Sequence, residues 1–314
     1  MSHQRTVPQG RTYPARASMI LILLFGFTSL TLAQQPGQKT FASPEEAGQA
    51  LFAAAQSGNN AALLEIFGSA GSQIISSGDE VQDQTSKDQF VAKFQEMHRF
   101  VNEPDRTTTL YIGAENWPVP IPLVEKGAAW YFDTPTAEKD ILYRRIGKNE
   151  FAAMDVCQAL VDAEGDYFSQ SRDVGPPQYT QKFISDEGKQ NGLYWKTADG
   201  EPESPIGPLV AYAAGEGYDK SQEPPNPYHG YFYRVLSGQG ASAPGGKKSY
   251  IVDGAMTGGF AILAYPAVYR SSGVMTFVVG QDGVIYQKDL GPNTVELAKA
   301  MKEYVRDKTW KQAP

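Results

Sequence analysis

Cys157 is the only cysteine in a chain of 314 residues. No intrachain disulfide can form, so the fold must be held by core packing and backbone hydrogen bonding alone. The first 33 residues sharpen that constraint. Arg5, Arg11 and Arg16 form a basic flank, Met19–Leu32 is an apolar run without a charge, and Ala33, with Thr31 two positions before it, gives a small-residue exit ahead of Gln34-Gln35-Pro36. These are the three parts of a secretory signal peptide. The run is shorter than the roughly 20 residues that cross a bilayer, so cleavage after Ala33 is expected rather than retention as an anchor. No cysteine stands at the exit to take a lipid. The mature chain is expected in the periplasm or outside the cell, where proteins commonly rely on disulfides that this one lacks.

Charge narrows the partners. The chain carries 28 Lys and Arg against 35 Asp and Glu, and loss of the three leader arginines takes the mature net charge to −10. Nucleic acid and anionic membrane surfaces need clustered positive charge and are not expected partners. Gly and Pro number 31 and 21, which predicts much turn and loop. The composition excludes a collagen, a long coiled coil and a multi-span membrane protein.

The organisation predicts an α+β protein of two domains, a signal peptide at 1–33, a linker at 34–42, and domains at 43–148 and 149–312. In the first domain Ser43, Pro44 and Glu46 cap a helix that Gly58 stops, and Asn60–Phe67 forms a second helix closed by Gly68. A third helix is expected to be capped by Ser86 with Gln89, with Phe90, Phe94 and Met97 on one face and His98 near its end. Strand-like pieces follow at Thr107–Ile112, Val119–Val124 and Ala128–Phe132, with Pro118, Pro120 and Pro122 interrupting the middle one. The second domain opens with Asn149–Phe168, whose polar residues Asp155, Gln158, Asp162 and Asp166 leave nearly all of its circumference apolar. Strands are expected at Tyr250–Val252, Gly259–Tyr265 and Val274–Val279, the last joined to Val284–Gln287 by a hairpin through Asp282-Gly283. A final helix begins near Asn293, with Leu297, Met301, Tyr304 and Val305 on one side.

Candidate chemistry is sparse. His98 and His229 are the only histidines after the leader, too few for a His-based zinc site and unaccompanied by a Gly-x-Ser-x-Gly elbow. No cofactor and no metal are expected. Cys157 lies among Phe151, Met154, Leu160 and Val161 and reads as a core thiol with a raised pKa. Asp79, Glu80 and Asp83 read as a solvated acidic turn rather than a Ca²⁺ loop. Gly254–Gly259 reads as close strand packing. Arg144 and Arg145 are expected at the domain junction, pairing with acids or orienting an anionic group. Pro227–Tyr233 is the most suggestive stretch. Tyr231 and Tyr233 alternate onto one strand face, which either packs a core or, with Tyr228, His229 and Trp195, offers aromatic area to a glycan or peptide.

Several motifs in order carry a resemblance. Ser76-Ser77-Gly78-Asp79, Trp117-Pro118-Val119-Pro120, Arg144-Arg145-Ile146-Gly147, Gly192-Leu193-Tyr194-Trp195, Pro227-Tyr228-His229-Gly230-Tyr231 and Met275-Thr276-Phe277 with Tyr286-Gln287-Lys288-Asp289-Leu290-Gly291 resemble a family of exported proteobacterial proteins, the domain of unknown function 2950. The resemblance spans about residues 40 to 312 and implies export, without an activity to carry over. In this family Asp-Pro-Asp tends to precede the final Trp, where this chain has Val305-Arg306-Asp307 before Lys308-Thr309-Trp310. At the level of architecture, the first domain is similar to a nuclear-transport-factor-like cone. The second, a long helix before antiparallel strands, is similar to the globular part of pilin-like and pseudopilin-like proteins, although its helix starts internally at Asn149. Fold alone implies no function.

Together these observations point to an exported, non-catalytic binding or assembly protein of the cell envelope or extracellular matrix. Its partner is expected to be an envelope or extracellular protein or polysaccharide, met through Tyr228, His229, Tyr231, Tyr233, Trp195, Arg144 and Arg145. A carboxylate-based envelope hydrolase is one alternative. A carrier of a small apolar ligand, held in the first domain between Trp117, Trp130 and Phe132, is the other.

Overall fold

The computed structural model describes residues 34–170, 176–198, 200–219 and 226–314, so the expected signal peptide lies outside the described residues. The first two helices form where local capping places them. Helix α1, Pro44–Gln56, is capped by Ser43, whose side chain accepts from the Glu46 amide, while the Glu46 carboxylate accepts from the Ala42 amide. Helix α2, Asn60–Phe67, is capped by Asn59 and ends at Gly68, whose φ of 72° suits glycine. A 3₁₀ turn, Ser69–Gly71, and a single-turn helix α3, Ser72–Ile75, lead into α4, Glu80–Glu96.

Helix α4 begins six residues before the expected Ser86 cap, because Asp79 takes that role and accepts from the Gln82 amide. His98 is not in this helix; it opens strand β1, His98–Asn102, with its ring stacked on Phe94 at 3.9 Å. Strand β1 pairs with β2, Thr108–Ile112. The proline-broken stretch gives two short strands, β3 at Trp117–Pro118 and β4 at Leu123–Lys126, followed by β5 at Ala129–Phe132. The order is β1-β2-β4-β5 with β3 beside β2, all antiparallel. Helices α1, α2 and α4 cover this sheet, and Phe41, Leu51, Ile66, Phe67, Leu123 and Phe132 fill the space between.

The largest departure from expectation is the next helix. Helix α5 runs from Thr134 to Ser169, 36 residues, and starts 15 residues before the expected Asn149. Pro135 sits in its first turn, where the missing amide costs nothing. Gly147 lies mid-helix, where glycine costs about 1 kcal/mol relative to alanine. That cost is offset by packing at both ends: Ala137 and Ile141 join the first core, and Ala153, Val156, Cys157, Leu160 and Ala163 join the second. The position expected to divide two domains therefore falls inside a continuous helix, and residues 34–314 form one compact unit.

Beyond helix α6, Gly207–Gly215, strands β6, Tyr231–Leu236, and β7, Gly238–Gln239, lead to β8, Lys248–Ser249. Strand β9, Ala261–Pro266, is buried at every position, as expected of a central strand, and precedes β10, Met275–Gly280, and β11, Ile285–Asp289. Helix α7 covers only Thr294–Ala300, with Leu297 exposed and Ala298 buried, so the expected apolar face through Val305 does not form. Tyr304 belongs instead to β12, Glu303–Tyr304, before a final strand β13 at Lys311–Gln312. The main sheet is ordered β13-β11-β10-β9-β6, antiparallel throughout, and α5 packs on β9 and β10. A small sheet β12-β7-β8 lies beside it, with Tyr250 following the strand rather than beginning it. The fold is α+β: a helix-covered antiparallel sheet, a long helix, and a second antiparallel sheet against that helix.

Candidate functional site

The motifs that stand out in the sequence converge on one buried junction. Asp79 is fully buried. Besides capping α4, its Oδ2 accepts from the Tyr218 hydroxyl and from the Gly230 amide, both at 2.8 Å. Asn149, on α5 and also fully buried, accepts from Gln82 Nε2 at 3.0 Å and donates to the Ser272 carbonyl at 2.9 Å. Next to it, Glu150 Oε1 accepts from the Val274 and Met275 amides. Thus α4, α5, the turn before β6 and the turn before β10 are pinned together by three side chains.

The His229 turn is a tight two-residue hairpin. Tyr228 and Tyr231 exchange both backbone hydrogen bonds, and His229 and Gly230 have φ of 50° and 75°. Positive φ at both central residues is the hairpin geometry that favours glycine. At Gly230 a Cβ would lie 2.6 Å from Asn149 Nδ2 and 2.9 Å from Ser272 Cβ, so the junction closes only over glycine. His229 Nε2 is 3.3 Å from Glu216 Oε2, which also accepts from the Tyr228 hydroxyl at 3.2 Å. Burial, and after it the nearby Glu216 charge, pushes the Tyr228 phenol up; burial and then Asp79 do the same to Tyr218.

The expected aromatic face is accordingly not an open one. Tyr231 is fully buried and donates to the Met275 carbonyl at 2.9 Å. Tyr233 points the same way, toward the α5 side of the sheet, and its hydroxyl is pushed well up by desolvation. Alternation did place both tyrosines on one face, but that face meets α5 and the core around Cys157. Cys157 itself is fully buried, with burial pushing its thiol up to about 12.

Other candidates resolve in a similar way. Arg145 donates to the carbonyls of Gln73 and Ile74 at 2.5 and 2.7 Å, capping the C-terminus of α3, and it also feels the charge of Asp83. Arg144, one residue away on α5, is exposed. Asp83, partly buried, accepts from the Ser77 amide with both oxygens, so of the acidic stretch Asp79 is a buried cap and Asp83 a clasp, while Glu80 is exposed as expected of a solvated turn. Gly258 would place a Cβ 2.5 Å from the Ser249 carbonyl oxygen, which is the expected close packing. Trp117 is 46% exposed, while Phe132 is buried edge-on against Phe67 in the first core, on which Trp130 also packs. Among the described residues, no group of three or more His, Cys, Asp or Glu side chains is placed to hold a metal ion, and no helix is long and apolar enough to cross a membrane.

Trp195, another expected site residue, borders a groove. Trp195 is half-buried, packs on the second core, and lines a groove of about 730 Å³. Gln170 at the end of α5, Gln190, Lys196, Glu201 and Glu203 line the rest. The segment carrying Trp195 is fixed without a regular strand. Tyr194 donates to the Phe183 carbonyl and accepts from the Ser185 amide, Leu193 is fully buried, and Gly192 approaches the Ile184 backbone so closely that a Cβ would sit 2.7 Å from its carbonyl carbon. Trp195 was expected to act with the aromatic stretch around Tyr228–Tyr233; the residues that line the groove with it, drawn from three stretches, carried no signal.

A second carboxyl was missed altogether. Glu164 on α5 is fully buried and accepts from the Thr180 amide and hydroxyl at 2.8 and 2.7 Å. Burial pushes it up to about 7 against those two hydrogen bonds.

The architecture is that of an α+β protein whose sequence motifs meet at a structural junction. By comparison with protein families, residues 38–313 match the model described as a protein of unknown function (DUF2950), and the chain belongs to that family. No curated protein and no solved structure matches it.

Proposed function

We propose that this is an exported, non-catalytic binding or assembly protein of the cell envelope or extracellular space, and that the groove at Trp195 is its contact surface. The observation that carries this reading is the contrast in how polar side chains are used. Asp79, Asp83, Glu150 and Glu164 all accept from backbone amides inside the fold, whereas Gln190, Glu201 and Glu203 are exposed around a half-buried indole. Amphipathic Trp beside polar donors and acceptors is the composition of a recognition surface. Export rests on the basic flank, charge-free apolar run and Ala33 exit of residues 1–33. The mature net charge of −10 favours partners other than polyanions.

Two measurements test it. Mass spectrometry of the protein from the extracytoplasmic fraction should show a chain beginning at Gln34, and an intact N-terminus would overturn cleavage. Purified protein should co-sediment with washed bacterial envelopes, with Trp195→Ala shifting it to the supernatant. Equal partitioning of the two, or neither pelleting, would overturn the groove as contact surface.

A further inference from the structure

We propose that the solvent face of α5 is a self-association surface, on which a second copy of this chain docks with its own α5 antiparallel. Arg144, Lys148, Phe151, Asp155, Gln158 and Asp162 lie alternately four and three residues apart, and all six are exposed. That alternation keeps side chains on one side of a helix, so the six form a single stripe. At 1.5 Å per residue the stripe is about 27 Å long. The opposite side of the helix faces the cores, where Asn149, Ala153, Val156, Leu160 and Ala163 are buried.

Two features of the stripe identify what covers it. The first is Phe151, 63% exposed near the middle of the stripe. Its ring borders a groove of about 400 Å³ whose walls include Met154, Ile285 and Ala313, so apolar surface continues from the helix to the edge of the main sheet. The second is charge. Both cations of the stripe precede Phe151 and both carboxylates follow it. Among the described residues, Arg144, Lys148 and Asp155 form no ion pair, and Asp162 accepts from the Gln158 amide at 3.2 Å. A stripe that is basic at one end and acidic at the other is its own complement when reversed. Laid antiparallel across a two-fold axis near Phe151, each Lys148 falls beside Asp155 of the second copy and Arg144 lies toward its Asp162, with the two phenyl rings at the centre. Laid parallel, like charges face each other. A polyanion is repelled by the acidic end and a polycation by the basic end. Gly147 fits the same arrangement. It lies beside the stripe, and a Cβ there would meet nothing within 4 Å, so no packing inside the chain requires glycine at this place. A small residue at a helix pair lets the two axes approach more closely.

Sedimentation equilibrium of the purified protein tests the assignment. The wild type should dimerise reversibly, its average mass rising toward twice that of the monomer as concentration increases. Phe151→Ser should raise the dimer dissociation constant about tenfold or more, because it removes the aromatic centre of the interface. Phe151 is exposed in the single chain, so this variant keeps its fold. Lys148→Glu and Asp155→Lys should each weaken the dimer severalfold by setting like charges together. A chain carrying both changes should return to within about twofold of wild-type affinity, since every charge pair is re-formed in reversed order. Only an antiparallel contact between these residues gives that rescue. A monomer at every concentration, a dimer indifferent to Phe151→Ser and to the single reversals, or single reversals that the double change fails to rescue would overturn the proposal.

Discussion

The junction around Asp79 and the groove around Trp195 both combine polar and aromatic side chains, and they use them in different ways. At the junction, Asp, Asn, Tyr and His meet across stretches 139 and 151 residues apart in sequence, and their polar atoms are committed to one another or to backbone. At the groove, Gln190, Lys196, Glu201 and Glu203 lie on loops and are exposed beside the half-buried Trp195. The difference teaches that a conspicuous motif need not be a reactive one. A protein without disulfides has to fasten its two sheets to the long helix by other means, and buried hydrogen-bonded polar groups do this with a specificity that apolar packing lacks.

The contrast predicts a steep asymmetry in stability. Asp79→Ala removes the acceptor of the Tyr218 hydroxyl and of the Gly230 and Gln82 amides. With about 1–3 kcal/mol for each buried donor left without an acceptor, a loss of roughly 4 kcal/mol is expected in urea unfolding. Glu203→Ala at the groove should change stability by no more than about 0.5 kcal/mol. Comparable losses at both positions would erase the distinction between the regions.

Glu164 offers a sharper test, because it is a buried anchor that titrates. Its carboxyl is raised from 4.5 to about 7 in the folded state. Between those values the folded protein holds a proton that the unfolded chain has released, so stability falls as pH rises through the window and is level above it. At about 1.4 kcal/mol per pH unit the total is about 3 kcal/mol. Glu164→Gln should flatten the dependence of unfolding free energy on pH between 4.5 and 7. Parallel curves for the two proteins would mean that Glu164 is not desolvated as its burial against Thr180 indicates.

Much of this arrangement was legible, and the parts that were not share a cause. Helices α1 and α2 are bounded by signals close to their ends, so the Ser43 cap of the first and the Gly68 stop of the second could be read directly. Helix α4 could not. Ser86 with Gln89 offers as good a local cap as Asp79 with Gln82, and only Tyr218 and Gly230, far along the chain, decide between them. The start of α5 was hidden by Gly147 and the basic run Arg144-Arg145, which look like a loop until Ala137 and Ile141 are seen packing on the first core. Period-2 alternation put Tyr231 and Tyr233 on one face, but what covers a strand face is a property of the sheet and its helix, not of the strand.

Tyr231 therefore separates packing from recognition. Tyr231→Phe keeps the ring against Phe277 and removes the hydrogen bond to the Met275 carbonyl, which should cost about 1 kcal/mol. Tyr233→Phe, whose hydroxyl donates to Tyr228 over 3.4 Å, should cost less. Neither should alter envelope co-sedimentation. Binding lost in a Tyr231→Phe variant of unchanged stability would return the aromatic strand to the contact surface.

A last contrast lies between two adjacent arginines. On a helix, neighbours in sequence point about 100° apart, so Arg144 and Arg145 meet different surroundings despite identical chemistry. Arg145 reaches back to the carbonyls of Gln73 and Ile74 and supplies the donors that the end of α3 lacks. Desolvation draws its guanidinium pKa down, with the charge of Asp83 opposing that shift. Arg145→Ala should cost about 1–2 kcal/mol. Arg144 is exposed, and Arg144→Ala should stay within about 0.5 kcal/mol of wild type in the same unfolding assay. A large loss at Arg144 with none at Arg145 would invert the helical phase of α5 at this turn, and with it the account of how one helix serves both cores.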